Sequence, residues 1–243
     1  MDIAGNWSDP VHAGPFFIDI NAPGAARIIG PAATKEFQLS TQFRLKWAAS
    51  DPNSGLKDYD VRYRMASLGG DFGTFRNWKL ATTLVDARWV GLKGYTYCFS
   101  TRARDNVLNV SAWSAEKCTA IPFDDRGLTA TGSWARETAS GYYLGSYSLS
   151  STTNNTLTKT GIMAEKLLLI ATKCPGCGTV RVFWNGVAVI DIDLENATKQ
   201  RRQFILIDDF GVMETGSIEI RIISSGKPVY IDGLAVGKTA PLP

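Results

Sequence analysis

The sequence predicts an all-β protein built as two β-sandwich domains in tandem. Three observations carry that expectation: short runs of alternating apolar and polar residues, turn residues between them, and no ten-residue segment with a helical apolar stripe. A chain of 243 residues exceeds one typical domain, and two units of roughly 100–130 residues are the natural division. The expected boundaries are residues 20–123 for a first sandwich, 124–127 for a short linker and 128–238 for a second. Residues 239–243 read as a tail.

In the first sandwich, Phe43, Leu45 and Trp47 fall on one face of a strand, with Arg44 and Lys46 on the other. Asp51-Pro52-Asn53-Ser54-Gly55 then reads as a turn, because proline presets φ and glycine accepts a positive one. Tyr59, Val61 and Tyr63 repeat the alternation against Asp60, Arg62 and Arg64. Leu92-Lys93-Gly94 leads into a third strand, Tyr95 to Arg104, and a turn at Asp105 to Asn109 leads into a fourth, Val110 to Ile121. A hairpin centred near residue 107 or 108 sets Cys98 opposite Cys118, the position for a disulfide.

These residues resemble a fibronectin type III domain. The resemblance rests on Trp47, Asp51, Ser54-Gly55-Leu56, Tyr59-Asp60-Val61-Arg62-Tyr63-Arg64, Leu92, Gly94, Tyr97 and Arg102-Ala103-Arg104-Asp105. It is nearest to the variety repeated in secreted actinobacterial proteins, where a Tyr-Cys-Phe-x-x-Arg-Ala-Arg-Asp segment recurs. The resemblance implies that the tryptophan and the paired tyrosines are core and strand-packing residues. The family's Leu-x-Pro-Gly corner is shortened here to Leu92-Lys93-Gly94, and no Arg-Gly-Asp triplet supports integrin-type adhesion.

Residues 1–19 carry an echo of this domain. Asp2, Asn6 and Ser8 repeat the spacing of Asp105, Asn109 and Ser111, and Pro15-Phe16 repeats Pro122-Phe123. The segment therefore reads as the last strand of a preceding repeat, or as linker, in a longer array. The start lacks the basic residues and apolar stretch of a signal peptide, which fits an interior fragment.

Beyond Asp124-Asp125-Arg126-Gly127, a linker short enough that the two sandwiches should pack closely, β-rich runs alternate with polar segments. The runs are Lys166 to Thr172, Thr179 to Trp184, Ala188 to Leu194, Arg202 to Ile207, Ser217 to Ile223 and Pro228 to Val236. Asn185-Gly186 between two of them is a strong hairpin signal. Cys174-Pro175-Gly176-Cys177 lies between two runs. A zinc site needs two more ligands, and a thioredoxin-like motif needs a helix after its first cysteine. A disulfide clamping a β-turn remains, and two disulfides imply an extracytoplasmic, secreted or cell-surface setting.

Trp134, Gly141-Tyr142-Tyr143-Leu144-Gly145, Trp184-Asn185-Gly186 and the closing Ile231-Asp232-Gly233-Leu234-Ala235-Val236 resemble galactose-binding-like jelly rolls, the fold of many carbohydrate-binding modules. The tandem resembles the C-terminal end of secreted actinobacterial proteins. It implies a polysaccharide or cell-surface glycan as partner, together with upstream domains of a longer chain.

The chain carries 26 basic and 23 acidic residues without a basic run, which argues against nucleic acid. The longest apolar run is bracketed by Lys166 and Lys173, too short to span a membrane. The lone histidine, His12, sits far in sequence from any candidate nucleophile, and Asp191/Asp193 and Asp208/Asp209 suit solvated or turn roles. No enzyme, catalytic residue, metal ligand or cofactor is expected, except that Asp232 and Glu137 could contribute to a calcium site of the kind some jelly rolls carry. Sugar binding needs aromatic platforms beside polar groups, and the candidates are Trp134, Tyr142, Tyr143, Tyr147 and Trp184. The expected function is a non-catalytic accessory module, with the jelly roll holding carbohydrate and the first domain acting as spacer. The alternative is a structural or adhesive array segment with no glycan ligand.

Overall fold

The computed structural model describes residues 3–5, 18–30 and 35–239. The residues that define the N-terminal echo, and His12, lie outside them. The fold is an all-β sandwich architecture with two separate hydrophobic cores.

The first core lies between two antiparallel sheets. β1 (Arg27–Gly30), β2 (Gln42–Ala48) and β5 (Asp86–Val90) form one, in the order β1-β2-β5. β3 (Leu56–Ser67), β4 (Arg76–Thr82), β6 (Tyr95–Asp105) and β7 (Lys117–Ile121) form the other, in the order β4-β3-β6-β7. Leu45 and Trp47 on β2 and Tyr59 and Val61 on β3 are buried as their alternation requires. Trp89, on a strand the sequence pattern did not reveal, is the hub. Its ring makes edge contacts with Tyr63 at 4.7 Å, Phe99 at 4.9 Å, Trp78 at 5.1 Å and Tyr97 at 5.2 Å. The shortened corner still closes, because the Tyr97 hydroxyl accepts the Leu92 N–H at 2.7 Å.

The expected fourth strand begins later than its apolar pattern suggests. Only Lys117–Ile121 is ladder-paired along its length. Before it, serine side chains stand in for the ladder: Ser111 Oγ accepts Ala103 N–H at 3.0 Å and Ser114 Oγ accepts Thr101 N–H at 3.1 Å. Cys98 and Cys118 are directly opposite across β6 and β7 and are joined by a disulfide, as are Cys174 and Cys177.

The second core is wrapped by one nine-stranded sheet folded over itself. Its members are β8 (Phe123–Asp124), β9 (Thr129–Thr131), β10 (Ala135–Thr138), β11 (Ser146–Ser150), β12 (Thr156–Lys173), β13 (Thr179–Trp184), β14 (Val187–Asp193), β15 (Gln200–Ile222) and β16 (Val229–Gly237). β12 and β15 pair along nearly their whole lengths and belong to both layers. The first half of β12 also meets β9 and its second half meets β16, while the last part of β15 meets β13. Register breaks between Lys159 and Ile162 and between Ala164 and Lys166 mark the corner, where Gly161 and Gly211 take positive φ of 65° and 67°. The two separate runs expected within residues 202–223 are thus one bent strand.

The linker is part of this sheet. Phe123 and Asp124 pair with Leu234 and Gly233 of β16, and Asp125–Gly127 forms a 3₁₀ turn capped by Asp124. A Cβ on Gly233 would stand 2.2 Å from the Phe123 carbonyl oxygen, so only glycine permits the pairing. Phe37 and Leu39 cover the outward-facing Leu168, Ile170 and Ala235, and Met163 N–H donates to Leu68 O at 2.9 Å. The buried Lys238 ammonium donates to the carbonyls of Ser67 and Gly70 at 2.7 and 2.8 Å. The two cores are therefore tied by a ladder, an apolar patch and a buried lysine.

Three buried carboxyls gather at this junction. Asp124 is paired with Lys93 and Arg126, and those partners overcome its burial to hold it down at about 2. Asp125 is raised by burial and by its neighbour, although Ser148 and Ser146 donate to it. Asp232 is 1% exposed; Oδ1 accepts Tyr143 N–H at 3.0 Å and Oδ2 has no partner. Burial lifts its carboxyl to about 7 against the Tyr143 bond and Arg202, and Asp125 and Asp124 add to the rise.

Two predictions concern stability. Closing the longer loop makes Cys98–Cys118 the stronger staple, worth about 3 kcal/mol against about 1.5 kcal/mol for Cys174–Cys177 in the chain-entropy model. Guanidinium unfolding should accordingly show C98A/C118A destabilised by about twice as much as C174A/C177A; equal losses would contradict this ranking. Asp232 is raised above its unfolded value of 3.8, so its stabilising contribution is complete below that pH and is lost as pH rises through about 7. Thermal unfolding should reveal stability falling between pH 4 and 7, by on the order of 4 kcal/mol from this group, with D232N flattening the slope. An unchanged slope in D232N would assign the dependence elsewhere.

Candidate functional site

β10, β11 and β16 are neighbours in the sheet, and their register sorts side chains into two sets. Ser148 stands opposite Ile231 and Ser150 opposite Val229, facing the core, whereas Leu149 stands opposite Tyr230 on the other face. Tyr147, two residues before Leu149, shares that outer face, with Glu137 directly across on β10. Tyr142, just before the 3₁₀ turn Tyr143–Gly145, comes in beside it.

The result is a run of three tyrosines. Tyr142 and Tyr147 stack with centroids 4.0 Å apart at 24°, and Tyr147 and Tyr230 meet at 5.6 Å and 47°. Arg201 lies over the Tyr142 ring at 5.2 Å and Lys199 over the Tyr230 ring at 4.7 Å. Burial, then Tyr142, Glu137 and Tyr230, raise the Tyr147 phenol, so it remains a hydroxyl donor at neutral pH. The surface thus offers apolar ring edges, phenolic hydroxyls, two cations and a carboxylate on one rigid sheet.

The structure sorts the five expected aromatics. Tyr142 and Tyr147 are brought together, although Tyr142 is only 6% exposed. Tyr143 is 1% exposed and structural, its hydroxyl donating to Pro122 O at 2.8 Å. Trp184 is 8% exposed and joins the core against Phe210, because alternation from Val180 and Val182 keeps it in phase with the interior. Trp134 is partly buried against the same core. Trp184 is therefore placed in the core, whereas Trp134, like Tyr230, is half-buried with its ring against that core. Tyr230, Arg201 and Lys199 were not singled out from sequence; Tyr230 lay in the recognised closing strand, where its outward phase was readable.

The acidic pairs have structural partners. Arg181 grips Asp191 with two bonds of 2.6 and 2.7 Å, Asp193 accepts Glu195 N–H, and Asp208 accepts Asp209 N–H. Glu137 and Asp232 do not gather into a metal-sized cluster. Among the described residues, the carboxylates that converge within 4.8 Å are Asp19, Asp51 and Asp105, in the first sandwich. No described helix is long and apolar enough to cross a membrane.

No family model matches the chain, and no curated protein matches it. Solved structures do. One, described as the structural basis for the promiscuous specificity of carbohydrate-binding modules of the β-sandwich superfamily, is 15% identical, with 91% of this chain and 100% of that chain covered and a TM-score of 0.39. The α-L-rhamnosidase of Dictyoglumus thermophilum is 13% identical over 90% of this chain and 29% of its own, with a TM-score of 0.35. The exo-β-1,3-galactanase of Phanerochaete chrysosporium is 14% identical over 88% of this chain and 56% of its own, with a TM-score of 0.32. The chain thus spans the whole of the first, less than a third of the second and just over half of the third. They are distant likenesses, and no functional residue is carried over from them.

Proposed function

We propose that the chain is a non-catalytic, extracytoplasmic accessory module that binds carbohydrate. In this reading residues 20–123 are a fibronectin type III-like spacer and residues 128–238 a galactose-binding-like jelly roll. The Tyr147 and Tyr230 rings, braced by the buried Tyr142 stacked on Tyr147, are the glycan platform. One observation carries the reading: three clustered tyrosines flanked by Lys199, Arg201 and Glu137 on a sheet face. Sugars present apolar C–H faces and a rim of hydroxyls, and this surface supplies rings for the first and mixed donors and acceptors for the second. The disulfides Cys98–Cys118 and Cys174–Cys177 support an oxidising location.

A second reading, a structural array segment without a glycan, draws on the rigid tie through Phe123–Asp124 and Phe37. Titration of the whole chain against neutral plant and cell-wall polysaccharides separates the two. Saturable binding is expected, weakened at least tenfold by Y147A and by Y230A at unchanged melting temperature. W184F should leave affinity within twofold. Absence of binding across the panel, or binding indifferent to both tyrosine substitutions, would favour the array.

A further inference from the structure

A cleft of about 840 Å³ opens between the two sandwiches, lined on one side by Arg62, Phe75, Trp113 and Lys117 and on the other by Lys166 and Lys238. Its volume lies within the range of small-ligand sites. One wall is a ladder of alternating cations and rings on the outer face of β3 and β6. Arg62 lies 3.8 and 4.0 Å from the ring centroids of Phe75 and Trp113, Arg102 also lies over the Trp113 ring at 4.8 Å, and Arg64 lies 5.1 Å from Phe75. Trp113 is fixed there by the Ser111 and Ser114 bonds to β6.

The charges of this ladder are not equally satisfied. Glu116 accepts from Arg64 at Nε and at a terminal nitrogen, at 2.8 and 2.7 Å, and Asp60 accepts from Arg102 at 2.9 Å. Across the cleft, Lys166 faces Glu36 and Asp209, Glu165 accepts the Thr239 N–H, and Lys238 is bound by backbone carbonyls. Arg62 has no carboxylate partner among the described residues, and its buried Nε has no acceptor. Burial pulls its guanidinium below the ordinary value, outweighing the pull of Glu116, while Arg102 and Arg64 push the same way as burial. With its faces covered by two rings and its Nε buried, the Arg62 guanidinium has its terminal nitrogens left to meet a carboxylate through two parallel bonds. Lys117, on the rim, has no ion pair among the described residues and adds a second positive charge.

We infer that this cleft is a second binding site, specific for a carboxylate-bearing saccharide of the uronate class, with Arg62 as the anion anchor and Trp113 beside it as the ring contact. That the carboxylate arrives on a sugar rests on the proposed function; the anion site rests on the cleft alone. The uronate carboxylate replaces the partner that Arg62 lacks, with Lys117 beside it, whereas Lys166 and Lys238 are already engaged.

The test titrates the whole chain with trigalacturonate, with its fully methyl-esterified form and with free galacturonate, by calorimetry and by following the Trp113 indole N–H. Trigalacturonate should bind, its ester at least tenfold more weakly, and 0.5 M salt should weaken the acid form severalfold. R62Q should lower affinity at least tenfold and K117A about threefold, while neutral-glycan binding at the tyrosine surface is unchanged. K117A alters only an exposed rim residue, so a folding defect in R62Q leaves the test intact. Equal binding of acid and ester, a shift that bypasses Trp113, or affinity indifferent to R62Q and K117A would overturn the inference. Loss of neutral-glycan binding with trigalacturonate still held by Arg62 would overturn the tyrosine platform and leave the cleft standing. Binding of free galacturonate as tight as the trimer would restrict the site to a single residue.

Discussion

β12 and β15 must each serve both layers of the C-terminal sandwich, and much else depends on how they turn the corner. A ladder that stopped at the bend would leave backbone groups unpaired beside a dry core, at a cost of 1–3 kcal/mol for each buried group. Instead, the extra residues are absorbed in bulges, with Gly161 and Gly211 in conformations that other residues resist. The outer face of β11, β16 and β12 then meets two environments. At one end Leu168, Ile170 and Ala235 are covered by Phe37 and Leu39. At the other, Tyr147 and Tyr230 remain partly exposed.

The junction inherits an electrostatic consequence. Pairing of Phe123 and Asp124 with β16 draws Asp124, Asp125 and Asp232 into one dry region. Only Asp124 receives cations enough to remain firmly ionised. Asp125 is compensated by Arg136 and two serines, and Asp232 by one backbone N–H. Like charges at close range separate the protonation of the three. The junction is therefore most stable where Asp232, the carboxyl with the fewest partners, holds its proton.

Much of this fold was legible in the sequence, and the exceptions have physical causes. Period-two alternation marked the core-facing residues Leu45 and Trp47 of β2 and Tyr59 and Val61 of β3, because charged residues alternate with them. The corner of β12 and β15 was not legible, since glycines interrupt the alternation that marks a strand. β4 lay hidden for another reason: its residues are exposed or half-buried on both faces. Of the candidate site, Tyr142 and Tyr147 were found by local clustering, whereas Tyr230 lies more than 80 residues away in sequence and joins them through strand pairing. Trp184 was a candidate beside the Asn185-Gly186 turn, yet its phase with Val180 and Val182 already pointed inward. The cation–ring ladder escaped notice because Arg62, Phe75 and Trp113 come from three segments that only the sheet brings together.

The linker's membership in the β16 ladder has a mechanical meaning. A flexible hinge would let one sandwich sweep a broad volume around the other. Here the connection is stitched into a sheet, and Lys238 and Phe37 brace it from the flanks. Tension applied along the chain is borne by backbone bonds and packed side chains before any slack is released. The two sandwiches are thereby held at one separation and one orientation to each other.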